Sequence, residues 1–128
     1  MAKILLTEDD DAVRAFVGRA LTMDGHEIIE AGDGEEGFDC LQEHDGDFDL
    51  LLSDIKMPFM DGIELAYTAK AAWPELKILM MTGYAEQRER ADPLSRIVID
   101  VVSKPFTLAQ IRQRVRDALG TEPLRDAC

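Results

Sequence analysis

Cysteine is scarce in this 128-residue chain. Cys40 and Cys128 have no zinc-type spacing and make no disulfide framework, and a reducing cytoplasm is the simplest setting for them. Long hydrophobic runs are also missing. No apolar stretch approaches the ~18 residues that a membrane span needs. The N-terminus, MAKILLTEDD, places one lysine and four further residues before a run of acids, which is neither a signal peptide nor a transit peptide. Basic charge is short as well: 14 Lys and Arg stand against 26 Asp and Glu, for a net charge of −12 and a pI near 4.4. Binding nucleic acid directly takes a basic surface that displaces counterions from phosphates, and this composition argues against that function. No low-complexity segment, linker or internal repeat beyond a β-α unit is present.

What is there suits a soluble globular domain. A chain of this length buries roughly two thirds of the surface its unfolded form exposes, so it needs no disulfide or structural metal to fold. The negative charge is uneven. Residues 1–64 hold 18 acids against 4 bases, whereas residues 65–128 hold 8 acids against 10 bases. Solubility is the plain reading of such acidity. A cation site among the acids is the sharper one.

The pattern alternates between two periods. Ile4-Leu5-Leu6, His26–Ala31, Phe48–Ser53, Lys77–Met81 and Val98–Ser103 read as short buried strands. Helical spacing follows each. The first helix opens at Asp11 with Val13, Phe16, Val17, Ala20 and Leu21 on one face, and stops at Gly25. The second covers 35–44, with Phe38 and Leu41 inward, after a Gly32-Asp33-Gly34 turn. The third runs from Ile63 to Ala72 and closes at Trp73-Pro74. The fourth is expected over 85–92. The fifth is capped by Thr107, with Leu108, Ile111, Val115 and Leu119 inward and Gly120 at its end. Five β-α pairs predict an α/β fold: a five-stranded parallel sheet with helices on both faces. The expected domain covers 1–120, with a short tail at 121–128.

In such folds, sites lie beyond the carboxyl ends of the strands, near a topological switch point. The residues there are informative. Glu8, Asp9, Asp10 and Asp11 follow the first strand, Asp54 the third, Thr82 and Gly83 the fourth, and Lys104 and Pro105 the fifth. Converging carboxylates repel by about 4 kcal/mol per pair at 4 Å and an effective dielectric of 20, so they must bind protons or a cation. Oxygen ligands with room for water suit Mg²⁺ or Mn²⁺. Lys104 and the Thr82 hydroxyl could hold phosphoryl oxygens. Asp54, at the end of a buried strand, could attack phosphorus to form a labile acyl phosphate.

The segments ILLTEDD (4–10), SDIKMPFMDG (53–62), MTG (81–83) and SKPF (103–106) occur in the order and strand context of a known family. Through them the chain, over residues 3 to about 119, resembles the CheY-like receiver domains of two-component response regulators. The resemblance implies that Asp54 is the phosphoacceptor. Asp9 would be a direct metal ligand, Glu8 would act through water, and the carbonyl of Lys56 would be the third protein ligand. Lys104 would pair with the phosphoryl group and Thr82 would be the switch hydroxyl. A cis peptide bond would precede Pro105, and Pro58 and Gly62 would shape the loop after Asp54. The implied phosphodonor is a histidine kinase or histidine phosphotransfer protein. Output is expected through protein contacts on the face of the last two helices and the fifth strand, as a stand-alone cytoplasmic regulator. Its catalysis would be confined to its own phosphorylation and dephosphorylation. One departure stands out: Val101 occupies the position where many receivers carry an aromatic switch, and Tyr84 is the nearest substitute, as reporting ring and as a shield of the acyl phosphate.

Plainer roles are expected elsewhere. Asp10, Asp11 and Asp61 read as helix caps, and Met57, Met60, Met80 and Met81 as packing residues. His26 and His44 read as surface residues. Phe59 either packs or meets a partner. Arg88, Arg90, Arg96, Arg112, Arg114 and Arg116 read mostly as a solvated face, some of them available to a partner. A phosphate sink or onward phosphotransfer would use the same chemistry. An aspartyl-nucleophile phosphatase would want a second aspartate two residues after the first, where Lys56 stands. A flavodoxin-like cofactor site would want Ser, Thr and Gly where the acids 8–11 lie, and those acids would repel phosphate.

Overall fold

The computed structural model describes residues 1–83 and 96–120. Five strands are present: β1 (Lys3–Thr7), β2 (Glu27–Ala31), β3 (Leu50–Asp54), β4 (Lys77–Thr82) and β5 (Asp100–Ser103). Four helices lie among the described residues: α1 (Asp11–Met23), α2 (Gly34–Glu43), α3 (Gly62–Ala72) and α4 (Leu108–Leu119). The helix expected over 85–92, with Tyr84, Arg88 and Arg90, and the tail 121–128 lie outside the described residues.

All strand pairs are parallel, in the order β2-β1-β3-β4-β5. The chain leaves β1 toward β2 on one side and then crosses to β3 on the other. The crevice between the carboxyl ends of β1 and β3 is therefore the switch point where α/β sheets place their sites. The three central strands are aliphatic because both faces are covered. Leu5, Leu51, Ile78 and Met80 pack under α2 and α3, and Ile4, Leu6, Leu50, Leu52, Leu79 and Met81 pack under α1 and α4. Strand alternation sends successive residues to opposite cores.

The helix ends obey local rules. Asp10 caps α1 by accepting from Ala12 N and Val13 N, and Asp61 caps α3 by accepting from Glu64 N. Asp11 is the first residue of α1 and pairs with Arg14. Thr107 and Gln110 form a reciprocal capping box on α4. Gly25 follows α1 with φ +85°, a conformation that favours glycine.

Some side chains depart from the sequence expectation. Phe16 is not fully inward: it is 40% exposed, with its ring 6.4 Å from that of Phe106. The histidines are half-buried rather than surface residues. His26 Nδ1 accepts from Ala2 N at 3.1 Å and its Nε2 is buried, while His44 packs on Phe48. Both sit at the amino-terminal side of the sheet, where the chain start folds over them. Met57, Met80 and Met81 are buried and Met60 packs against the core, as expected of packing residues. Arg112 and Arg116 pair with Asp24 and tie α4 to the end of α1, and Arg114 pairs with Asp100.

Candidate functional site

β1 and β3 end side by side, with Thr7 opposite Ser53. The next residues, Glu8 and Asp54, consequently emerge together at the switch point. Glu8 and Asp54 are buried and Asp9 is exposed on the rim, and the three carboxylates offer oxygens within 4.8 Å of one another. From the far side of the sheet, Lys104 reaches in after β5. Its Nζ lies 2.9 Å from Glu8 Oε2 and 3.3 Å from Asp54 Oδ1. The Lys104–Pro105 bond is cis, and Lys104 N donates to Thr82 O at 2.7 Å, which anchors the base of the lysine to the end of β4.

Each buried carboxylate is held. Glu8 Oε1 accepts from Asp10 N at 3.1 Å, and Asp54 Oδ1 accepts from Ile55 N at 3.0 Å. Burial pushes the Glu8 carboxyl above its ordinary range, with the Asp54 charge adding and Lys104 opposing. Burial likewise raises the Asp54 carboxyl, opposed mainly by Lys104 and reinforced by Asp9. Burial disfavours the Lys104 ammonium, but its bond to Glu8 and the charge of Asp54 outweigh that and raise its pKa. One ammonium thus faces three carboxylates. A simple buried ion pair would leave no such surplus of negative charge.

Thr82 is the buried last residue of β4, one position beyond Met81, the cross-strand partner of Asp54. Lys56 lies two residues past Asp54 with an exposed side chain. Gly62 lets the loop fold back. A Cβ there would overlap the Asp54 carbonyl oxygen, and Gly62 N donates to Ile55 O at 2.7 Å. Gly34 makes the same allowance for the carbonyl of Met60. Phe59, in that loop, has φ +69° and is 82% exposed, so it does not pack. Val101 is half-buried against the α2–α3 core.

Three neighbours of the acids carried no clear signal in the sequence. Arg14 Nη1 donates to Glu8 O at 2.7 Å and its Nε lies 3.4 Å from Glu30, which binds the acidic loop to α1 and β2. Thr7 and Ser53 are buried hydroxyls joined to each other at 2.5 Å. Their available signal was a polar residue closing an otherwise aliphatic strand, immediately before an acid.

Residues 4–116 match the family described as the response regulator receiver domain. The chain belongs to that family. The response regulator receiver protein CpdR of Brucella abortus (strain 2308) is 40% identical over 119 residues, which covers 93% of this chain and 98% of that protein. The sensor kinase CckA of the same organism is 35% identical over 118 residues, covering 92% of this chain but only 12% of that kinase. The crystal structure of the response regulator TrrA from Thermotoga maritima, in complex with Mg²⁺ and BeF, superposes with a TM-score of 0.80 at 29% identity, over 92% of this receiver and 99% of that chain. Receiver domains are phosphorylated on an aspartate, bind Mg²⁺ through an acidic pocket, and interact with histidine kinases and output proteins.

Their cation fits the residues found here. Ligands on opposite sides of Mg²⁺ at ~2.1 Å stand about 4.2 Å apart, close to the spread of the carboxylate oxygens of Glu8, Asp9 and Asp54. The donors are all hard oxygens, as Mg²⁺ and Mn²⁺ prefer. No helix among the described residues is long and apolar enough to cross a membrane.

Proposed function

We propose that this receiver accepts a phosphoryl group on Asp54 from a histidine kinase or a histidine phosphotransfer protein and signals through phosphorylation-dependent protein contacts. The observation that carries this reading is Lys104, whose Nζ lies within ion-pair reach of both Glu8 and Asp54. A carboxylate oxygen of Asp54 attacks phosphorus, the P–N bond to the donor imidazole breaks, and the ring nitrogen departs with the bonding electron pair. Lys104 exchanges its contact with the Asp54 carboxylate for the transferred phosphoryl oxygens, and Thr82 offers its hydroxyl to another. Asp9, Asp54 and the Lys56 carbonyl would ligate Mg²⁺ or Mn²⁺ directly and Glu8 through water. Bound there, the cation would offset charge on the phosphoryl group.

The receiver unit occupies residues 1–120, followed by the tail 121–128. Its catalytic activity is limited to its own phosphorylation and dephosphorylation, in the cytoplasm. Similarity to CpdR over nearly that protein's whole length supports output by protein contact. The output face includes β5 and α4; the helix expected over 85–92 as its third part lies outside the described residues. Tyr84 stands in for the aromatic switch that Val101 cannot provide, and shields the acyl phosphate from water. Incubation with acetyl phosphate and Mg²⁺ followed by intact mass tests the chemistry. One added phosphoryl group is expected, absent in Asp54→Asn and in EDTA. An Asp54→Asn protein that still gains it would overturn the assignment. An unchanged rotamer and solvent exposure of Tyr84 on adding beryllofluoride would remove Tyr84 from the switch.

A further inference from the structure

Two hydroxyls lie directly beneath the acidic pocket. Thr7 precedes Glu8 and Ser53 precedes Asp54, and the two are partners across the β1–β3 ladder. Both are completely buried, where their strand neighbours are aliphatic. Thr7 Oγ1 donates to Ser53 Oγ at 2.5 Å, and Ser53 Oγ donates to the backbone oxygen of Asp54 at 2.8 Å. A hydroxyl has a single proton, so both protons are directed one way, toward the phosphoacceptor's own carbonyl.

That carbonyl belongs to the Asp54–Ile55 peptide. The N–H of the same peptide donates to Asp54 Oδ1 at 3.0 Å and also reaches Met81 O at 3.1 Å. A peptide unit is planar, so its carbonyl and its N–H turn together. Holding one end therefore sets the direction of the other, and with it the plane of the Asp54 carboxylate.

We propose that the Thr7–Ser53 hydroxyl pair is a positioning device for phosphoryl transfer. It fixes the Asp54–Ile55 peptide so that the peptide N–H holds Oδ1, leaving Oδ2 to meet phosphorus. This rests on the reading of Asp54 as the phosphoacceptor. The pair also bears on stability, since losing Ser53 takes this donor from the Asp54 carbonyl, so its effect on rate has to be separated from its effect on folding.

Thr7 allows the two roles to be separated. Its methyl Cγ2 abuts α2 so closely that a Cβ on Gly37 would come within 2.5 Å of it, while Oγ1 makes the hydrogen bond. Thr7→Val keeps the shape and loses the hydroxyl. Thr7→Ser keeps the hydroxyl and loses the packed methyl. The experiment compares the full-length wild type, Thr7→Val, Thr7→Ser and Ser53→Ala. Initial rates of phosphorylation by acetyl phosphate at saturating Mg²⁺ are read by intact mass, alongside thermal unfolding midpoints. Thr7→Val is expected to melt a few degrees below wild type, no lower than Thr7→Ser, yet to accept phosphate about tenfold more slowly, the usual scale for losing an outer-shell partner. Ser53→Ala is expected to slow at least as much. Thr7→Ser is expected to melt several degrees lower and keep the wild-type rate.

Rates that follow the melting temperatures, with Thr7→Ser slower than Thr7→Val, would overturn the proposal. A wild-type rate in both Thr7→Val and Ser53→Ala would do the same. Failure of wild type to take any phosphoryl group would instead overturn the phosphoacceptor reading and the positioning role with it.

Discussion

Replacing Asp54 by Asn should stabilise the metal-free protein while abolishing its chemistry. Three distances set the size of the effect. Lys104 at 3.3 Å attracts the Asp54 carboxylate by about 5 kcal/mol at an effective dielectric of 20. Glu8, with oxygens within 4.8 Å, repels it by about 3.5 kcal/mol on the same scale. Asp9 is exposed, so its repulsion is about half that after solvent screening. These charge contributions nearly cancel. What is left is the desolvation of a buried carboxylate, several kcal/mol for an ion and much less for a neutral amide.

A net gain of about 1–2 kcal/mol is expected for Asp54→Asn in EDTA at pH 7.5, which moves a urea midpoint by roughly 1 M. The single tryptophan, Trp73, half-buried and bonded to Asp45, supplies the fluorescence signal. Mg²⁺ should narrow this difference. At ten times its Kd a cation stabilises the wild type by about 1.4 kcal/mol, and the variant, lacking one ligand, by less. The pH dependence has a definite sign. The carboxyls of Glu8 and Asp54 are raised by burial, so their contribution to stability is fully present below their unfolded pKa values and is lost as pH rises through the folded ones. Acidification from neutral toward that range should stabilise metal-free wild type, and Asp54→Asn less. An Asn variant that unfolds at lower urea than wild type in EDTA would refute the account of a frustrated acidic pocket.

Other perturbations have equally definite outcomes. Lys104→Met should cut the rate of phosphorylation by acetyl phosphate on the order of 10²-fold, as losing a donor to developing charge does, with Mg²⁺ affinity by calorimetry unchanged or higher. Gly62→Ala places a methyl on the Asp54 carbonyl and should cost about 3 kcal/mol in chemical denaturation, more than the same change at Gly120, where the nearest atom is 3.6 Å away. The carboxyl of Asp24 is held down to about 2 by its bonds to Arg112 and Arg116. Its contribution is present above the unfolded carboxylate pKa and lost as pH falls through about 2, so Asp24→Asn should flatten the acid limb of a stability-against-pH curve.

Local signals carried most of the element list. The aliphatic triplets at 4–6 and 50–52, the caps at Asp10, Asp61 and Thr107, and the stop at Gly25 rest on backbone dihedrals and hydrogen bonds within a few residues, which a linear reading samples directly. Strand boundaries shifted by a residue or two because pairing, not hydrophobicity, ends a strand. Asp54 is polar, yet β3 includes it because it pairs with Met81. The motifs around Glu8, Asp54, Thr82 and Lys104 were legible because each follows or closes a strand, and strand ends share one edge of a parallel sheet.

Sequence alone thus determined the fold class, the order of elements and the list of acids and amine that could meet. Tertiary structure decided which of them touch: that Lys104 spans Glu8 and Asp54, and that Arg14 grips the carbonyl of Glu8. It also brought Thr7 to Ser53 across 46 residues of chain and Lys104 to Glu8 across 96. The reason is range. Propensity and capping act over one or two turns, whereas strand order and register, set by how the two cores close around the sheet, choose the partners of a side chain.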